Sequence, residues 1–170
     1  DLNQWEKALN SKTKCGFVES PSNPMLDIVD INAISNILHK NNSLLIVDNA
    51  FSSPIIQKPI ELGADIVVYS ATKHIDGQGR SLGGAILSNA KFIDDKVLPF
   101  MRHTGASLSP FNAWILGKSL ETLELRIKQH CFNAERIAST FSTHPKIVRV
   151  IYPFLDTHPQ KSIAIKQMSA

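Results

Sequence analysis

The chain has 170 residues, of which 43% are hydrophobic, and carries 18 basic and 15 acidic residues for a formal charge of +3. That length buries one ordinary core and part of a second, and no stretch is long and apolar enough to span a bilayer. The basic residues are scattered without a polybasic run or an aromatic-interleaved patch, which argues against nucleic acid or a membrane surface as a partner, and nothing at the start reads as a signal peptide, so a cytoplasmic protein is expected.

In chain order, the run after Asp1 (LNQWEKAL) reads as the middle of a helix, which is the pattern of a fragment of a longer protein. Cys15 to Glu19 (CGFVE) is a predicted strand, followed by the turn-rich Ser20-Pro21-Ser22-Asn23-Pro24, where each proline disfavours helix at the residue before it. Asp30 caps a predicted helix through Lys40, with Ile31, Ile34, Ile37 and Leu38 on one face and Asn41-Asn42 ending it. Leu44 to Asp48 (LLIVD) and Asp65 to Ser70 (DIVVYS) are short, β-branched and apolar, as expected of strands buried on both faces of a parallel sheet. Between them lie a short helix near Ile60 and a stop at Gly63. A further strand, Gly84 to Leu87, follows a glycine-rich loop.

Ser109-Pro110 is a helix start, with the hydroxyl as N-cap and proline in the first turn. The periodic run from Phe111 to Ser142 is long for a globular helix, so a kink or a role bridging two domains is expected, before Thr143-His144-Pro145 breaks it. Lys146 to Tyr152 (KIVRVIY) is a predicted strand opening a second domain, and a helical pattern begins at His158.

The chemistry centres on Lys73, which closes Ser70-Ala71-Thr72-Lys73 directly after a strand and downstream of a second strand ending in Asp48. In open α/β sheets ligands bind beyond the carboxyl ends of the strands, so Asp48 and the Ser70 to Lys73 cluster are expected to face one crevice. A lone lysine after a strand is ordinarily a solvated loop residue, and a lone aspartate there is ordinarily a cap. Their combination has a chemical meaning. An aldehyde cofactor with a pyridine ring needs a lysine amine to attach to, a carboxylate to keep the ring nitrogen protonated, and hydroxyls for its phosphate. Lys73, Asp48, Ser70 and Thr72 meet those needs in order, and Asn23 offers an amide to the ring oxygen, although it also suits an Asx-turn before Pro24.

Other chemistries fit less well. Ser70-Ala71-Thr72-Lys73 satisfies S-x-x-K, but the companion S-D-N and K-T-G motifs are missing and the serine leaves a strand rather than opening a helix. Gly77-Gln78-Gly79 lacks the G-x-G-x-x-G spacing of a dinucleotide site. The six histidines and two cysteines, Cys15 and Cys131, show no metal or redox spacing, so no metal site is expected and the cysteines read as reduced thiols. His74, beside the lysine, reads as packing.

ESPSNP at 19–24, VDNAFSSP at 47–54, GADIVVYSATKHIDGQGRSLGGA at 63–85 and LSPFNAW at 108–114 resemble the Cys/Met-metabolism family of pyridoxal-phosphate enzymes over essentially the whole chain. GQGRSLGG, SLSPFNAW and LETLELRIKQHC are most similar to its O-succinylhomoserine sulfhydrylases. The resemblance implies an α/β fold of the fold-type I, aspartate aminotransferase-like class. Residues 1–108 would form the later part of the large cofactor domain, 109–142 a long linking helix and 143–170 the start of the small carboxy-terminal domain. It implies pyridoxal 5'-phosphate held covalently by Lys73, paired through its ring nitrogen with Asp48, bound through its phosphate by Ser70 and Thr72, and touched at its ring oxygen by Asn23. The implied reaction takes O-succinylhomoserine and sulfide to homocysteine and succinate, in a homotetramer built from active dimers with a small amino acid as substrate. Cystathionine γ-synthase, cystathionine γ-lyase and methionine γ-lyase activities, or an inactive homologue that binds partners, remain open on sequence. Family members also carry a phosphate cradle, a ring-stacking aromatic residue and groups lent by a neighbouring subunit ahead of this segment, and a carboxylate-gripping arginine after it. Neither Arg136 nor Arg149 sits in the motif of that arginine.

Overall fold

A computed structural model describes residues 1–169. Helix α1 (Leu2–Ala8) leads into strand β1 (Cys15–Glu19), followed by α2 (Ile31–Lys40), β2 (Leu44–Asp48), α3 (Ser53–Ile56), β3 (Ile66–Ser70) and β4 (Gly84–Leu87). The helical turns continue as α4 (Ala90–Phe92), α5 (Leu98–Thr104), α6 (Pro110–Leu120), α7 (Leu123–Ser142) and α8 (Lys161–Gln167). The sheet order is β1-β2-β3-β4. The first three strands are parallel, with Glu19 opposite Asp48 and Asp48 opposite Val68. Strand β4 runs antiparallel to β3, with Ser70 opposite Gly84, so the chain reverses after the lysine loop instead of crossing over.

Local chemistry explains these boundaries. The Asp30 side chain accepts from Ala33 N at 2.9 Å, satisfying one of the free N–H groups at the start of α2. Gly63 ends a 3-10 turn (Pro59–Leu62) at φ 101°, a backbone state that costs a glycine little. The Ser109 hydroxyl accepts from Asn112 N at 3.2 Å at the start of α6, with Pro110 in the first turn as the sequence suggests.

One sheet face is sealed. Val18, Leu45, Val47, Val67 and Tyr69 pack on Ile31, Ile34 and Leu38 of α2 and on Leu116, Leu123 and Ile127 of α6 and α7. Gly16 is where α2 comes closest, because an added Cβ would lie 2.7 Å from Leu38 Cδ1. Leu38 is fully buried at this contact. Replacing it by alanine in the full-length protein is expected to cost about 2–5 kcal/mol, read as a fall in the denaturant midpoint at unchanged slope.

Three expectations are corrected. Burial on both faces is only partial: it alternates along β2, and Phe17 and Ile86, which share the other face with Leu44, are 59% and 49% exposed, while in β3 Ile66 on that face is buried as Val67 is on the other. The run from Phe111 to Ser142, by contrast, has the kink expected of it: α6 ends at Leu120 and α7 starts at Leu123, with Thr122 at φ −113°, ψ 3° between them. Lys146 to Tyr152 is not a strand. Its β-branched residues pair with neither edge strand of the sheet, β1 or β4, and Val148 is fully exposed, so propensity alone does not make a strand there. The final helix begins at Lys161, three residues after the pattern suggests.

Helix α8 is tied back to the strand ends by one buried amide system. Gln167 Nε2 donates to Val29 O at 2.8 Å and to Gln57 Oε1 at 3.2 Å, while its Oε1 accepts from Ile31 N at 3.3 Å. Gln57 Nε2 donates in turn to Ser20 O at 2.7 Å and to Asn49 Oδ1 at 2.9 Å.

Candidate active site

Because β1, β2 and β3 are parallel and in register, their carboxyl ends arrive at one edge of the sheet. Side chains alternate in strands, and the pairing puts Glu19, Asp48, Val68 and Ser70 on the same, open face. Asp48 is half-buried, and its Oδ1 accepts from Ala50 N at 2.9 Å, which fixes the carboxyl group at the strand end. The other oxygen has no hydrogen-bond partner among the described residues. Asn23 stands in the loop after β1, exposed, with its backbone N–H donating to Glu19 Oε2 at 3.1 Å. Its side-chain amide makes no bond among the described residues, so the Asx-turn reading is not realised.

Ser70 is half-buried at the end of β3 and its hydroxyl is likewise without a partner among the described residues. Thr72 differs. Its Oγ1 accepts from Gly83 N at 3.1 Å and lies 3.4 Å from Gly83 O, while Ala71 N donates to the same carbonyl at 2.9 Å. The Thr72 hydroxyl therefore closes the lysine loop against the start of β4, and Ser70 has the freer of the two hydroxyls. Lys73 lies in a single wide helical turn, Ala71–Ile75, kinked at the lysine itself (φ −87°, ψ −115°). Its side chain is exposed and has no ion-pair partner among the described residues.

Beneath the lysine, the His74 ring is tilted against His130 with centroids 5.9 Å apart. Burial, and then the charges of His130 and Arg126, push His74 below the ordinary histidine value, against a backbone hydrogen bond with Phe51. The imidazole is half-buried and packed on His130, in keeping with its reading as a packing residue.

The residues that sequence reasoning passed over are Glu19 and the acid–base pair inside the loop. Glu19 shares a face and a register with Asp48, but its role as acceptor from the Asn23 backbone is set by a turn that strand patterning does not describe. Asp76 is fully buried. It accepts from Arg80 N at 2.7 Å, Gln78 N at 3.3 Å and Arg80 Nε at 3.1 Å. Those bonds, led by the one from Arg80 N, hold its carboxyl below the usual aspartate range, with burial opposing them. The signal available was the Asp76-to-Arg80 spacing across Gly77 and Gly79, which take φ of 70° and 68° and let the loop fold onto the carboxylate.

A depressed carboxyl pKa contributes stability above the unfolded value of about 3.9 and loses it as pH falls through the folded value. Asp76→Asn is therefore expected to lower Tm near neutrality and to flatten the acid side of the Tm–pH curve below about pH 4. A variant curve parallel to that of the unaltered protein down to the acid limit would remove Asp76 from this role.

A family model for Cys/Met metabolism PLP-dependent enzymes matches this chain along residues 1–170. The chain belongs to this family. Curated Cys/Met-metabolism relatives include the O-succinylhomoserine sulfhydrylases of Mycobacterium tuberculosis, 50% identical over 169 residues, and of Pseudomonas aeruginosa, 47% identical over 169 residues. Each match takes in 99% of this chain and 42% of the relative, so the chain spans less than half the length of the proteins it resembles. An L-methionine gamma-lyase of Fusobacterium nucleatum is 42% identical and covers 99% of this chain and 43% of its own length. Among solved structures, cystathionine gamma-lyase of Lactobacillus plantarum complexed with L-serine superposes with a TM-score of 0.96 at 35% identity, over 100% of this chain and 45% of that one. The metB structure from Corynebacterium glutamicum gives 0.94 at 37% identity, over 99% and 44%. The α/β fold is thus the fold of these family structures.

The family's cofactor, pyridoxal 5'-phosphate, fits the donor set at this edge. The site offers an exposed primary amine, a carboxylate with one free oxygen, an unpartnered hydroxyl and an unpartnered amide at one edge of the sheet. Among the described residues no group of three His, Cys, Asp or Glu side chains is placed to hold a metal ion, and no helix is long and apolar enough to cross a membrane.

Proposed function

We propose that the full protein carries out a γ-replacement in methionine biosynthesis, taking O-succinylhomoserine and sulfide to homocysteine and succinate. The observation that carries this choice is the order of identities: 50% and 47% to the two sulfhydrylases, against 42% to a methionine gamma-lyase and 43% to a cystathionine beta-lyase. When bound, pyridoxal 5'-phosphate supplies an electron sink for the electrons left at the substrate Cα. Lys73 Nζ would hold the cofactor covalently, and its amine would carry protons at the substrate Cα and Cβ. Asp48 would keep the ring nitrogen protonated, Ser70 Oγ would donate to the phosphate, and Asn23 would orient the ring oxygen. Thr72, assigned to the phosphate with Ser70, also latches the loop that presents the lysine.

The working assembly in this reading is a cytoplasmic homotetramer of active dimers, in which segments outside this chain and a neighbouring subunit complete the site. Residues 1–108, 109–142 and 143–170 belong to its large domain, linking helices and small domain respectively. The full-length protein incubated with O-succinylhomoserine and sulfide is expected to release homocysteine and succinate in equal amounts. Cystathionine from added cysteine at a higher kcat/KM, or 2-oxobutanoate with ammonia from methionine, would assign another reaction of the family. Absence of all of these products would overturn an enzymatic reading.

A further inference from the structure

The lysine turn does not continue as a helix, and a turn that stops leaves carbonyl groups without intrahelical donors. In this protein the four carbonyls from Lys73 to Asp76 are all engaged. Lys73 O accepts from Gly77 N at 2.7 Å. His74 O accepts from Arg126 Nη1 at 2.8 Å and Ile75 O from Arg126 Nη2 at 3.1 Å. Asp76 O accepts from Arg80 Nη2 at 3.3 Å. Two guanidinium groups thus do the work that the next helical turn would have done.

Both arginines also reach the same residue of α6. Arg126 Nη2 donates to Ser119 O at 3.0 Å, and Arg80 Nη2 to Ser119 Oγ at 2.7 Å, where Ser119 is nearly fully buried. Arg126 Nε is braced by Thr122 Oγ1 at 3.2 Å, in the break between α6 and α7. The break between α6 and α7 thereby has a use: it brings the start of α7 close enough for one side chain to span from α6 to the lysine turn. Gly77 completes the fit. A Cβ there would sit 2.2 Å from Arg126 Nη1, and its φ of +70° is in any case unfavourable for other residues.

We propose that Arg126 is a positioning residue for Lys73, gripping the carbonyls of the next two residues so that the exposed amine is delivered in one orientation toward the Asp48 edge. A planar fork satisfies three carbonyls at fixed angles, which a lysine ammonium at position 126 cannot reproduce. The inference rests on the reading of Lys73 as the cofactor lysine, and the test separates the two.

The full-length protein is stripped of cofactor, and two rates are measured at Lys73 by peptide mass spectrometry. One is acetylation by acetic anhydride, which reports exposure alone, and the other is attachment of added pyridoxal 5'-phosphate trapped with borohydride, which requires orientation. In Arg126→Gln the acetylation rate is expected to stay within about twofold, while attachment slows by about tenfold to a hundredfold, the scale set by small misplacements of reacting groups. Arg126→Lys is expected to recover little of the loss. Gly77→Ala, which displaces the guanidinium, is expected to reproduce it, and the double variant Gly77→Ala/Arg126→Gln to add nothing further. Attachment at the unaltered rate in a folded Arg126→Gln overturns the proposal, as does equal slowing of both rates. Loss of fold in both Arg126→Gln and Arg126→Lys assigns Arg126 a purely structural role and also overturns it. If the unaltered protein takes no label at Lys73, the reading of the site falls, and this inference with it.

Discussion

Lys73→Ala in the full-length protein is expected to reduce the rate of homocysteine formation by at least about a thousandfold, since a positioned proton carrier alone contributes about 10²–10⁴. Two functions are lost together, the covalent attachment and the proton transfer, so their effects will not separate by simple addition. The turn around Lys73 is held by its backbone carbonyls and by Arg126 rather than by the lysine side chain, so the Tm of the cofactor-free protein should change little. Borohydride trapping should then place no pyridoxyl label on the peptide containing position 73. Turnover within tenfold of the unaltered protein, or a label that persists elsewhere with activity intact, would move the chemistry away from this lysine.

Asp48→Asn is expected to lower kcat by about 10²–10³ while Lys73 still takes the label, the magnitude typical of removing one preorganised electrostatic partner. The substitution is close to isosteric. Asparagine keeps a side-chain oxygen to accept from Ala50 N, now 2.9 Å from Asp48 Oδ1, so the strand end should keep its geometry. Only the negative charge is removed, and with it the preference for a protonated ring nitrogen. The informative result is the split between the two readouts: attachment retained, turnover lost. Equal loss of both would point to a general failure of cofactor binding, and unaltered kcat would separate Asp48 from the reaction.

Much of this site was legible because its parts lie at the ends of strong local patterns. LLIVD and DIVVYS announce strands by composition, and parallel pairing then obliges Asp48 and Ser70 to share a face and an edge. The Asp30 and Ser109 caps were visible for the same reason, since a short polar side chain ahead of an apolar periodic run has few other uses. What sequence did not disclose was set by distant partners. KIVRVIY has the composition of a strand but pairs with neither edge of the sheet, and it stays irregular. The double burial inferred for the strands assumed cover along both faces, whereas the described residues cover one face fully and the other only around Ile66. Arg126 lies more than fifty positions from the two lysine-turn carbonyls it holds, and no periodicity in α7 distinguishes it from a solvated arginine.

The strand order gives the chain two classes of long-lived contact with different histories. Every strand pairs with its neighbour in sequence, so the sheet closes only short loops and can zip from one end to the other with little entropy lost at each step. The Gln167 clasp is the reverse case, joining residues 136 and 138 positions apart at Ile31 and Val29. Assembly should therefore reach the clasp last, and under native conditions the Ile31 amide should exchange its hydrogen for deuterium sooner than those inside β2.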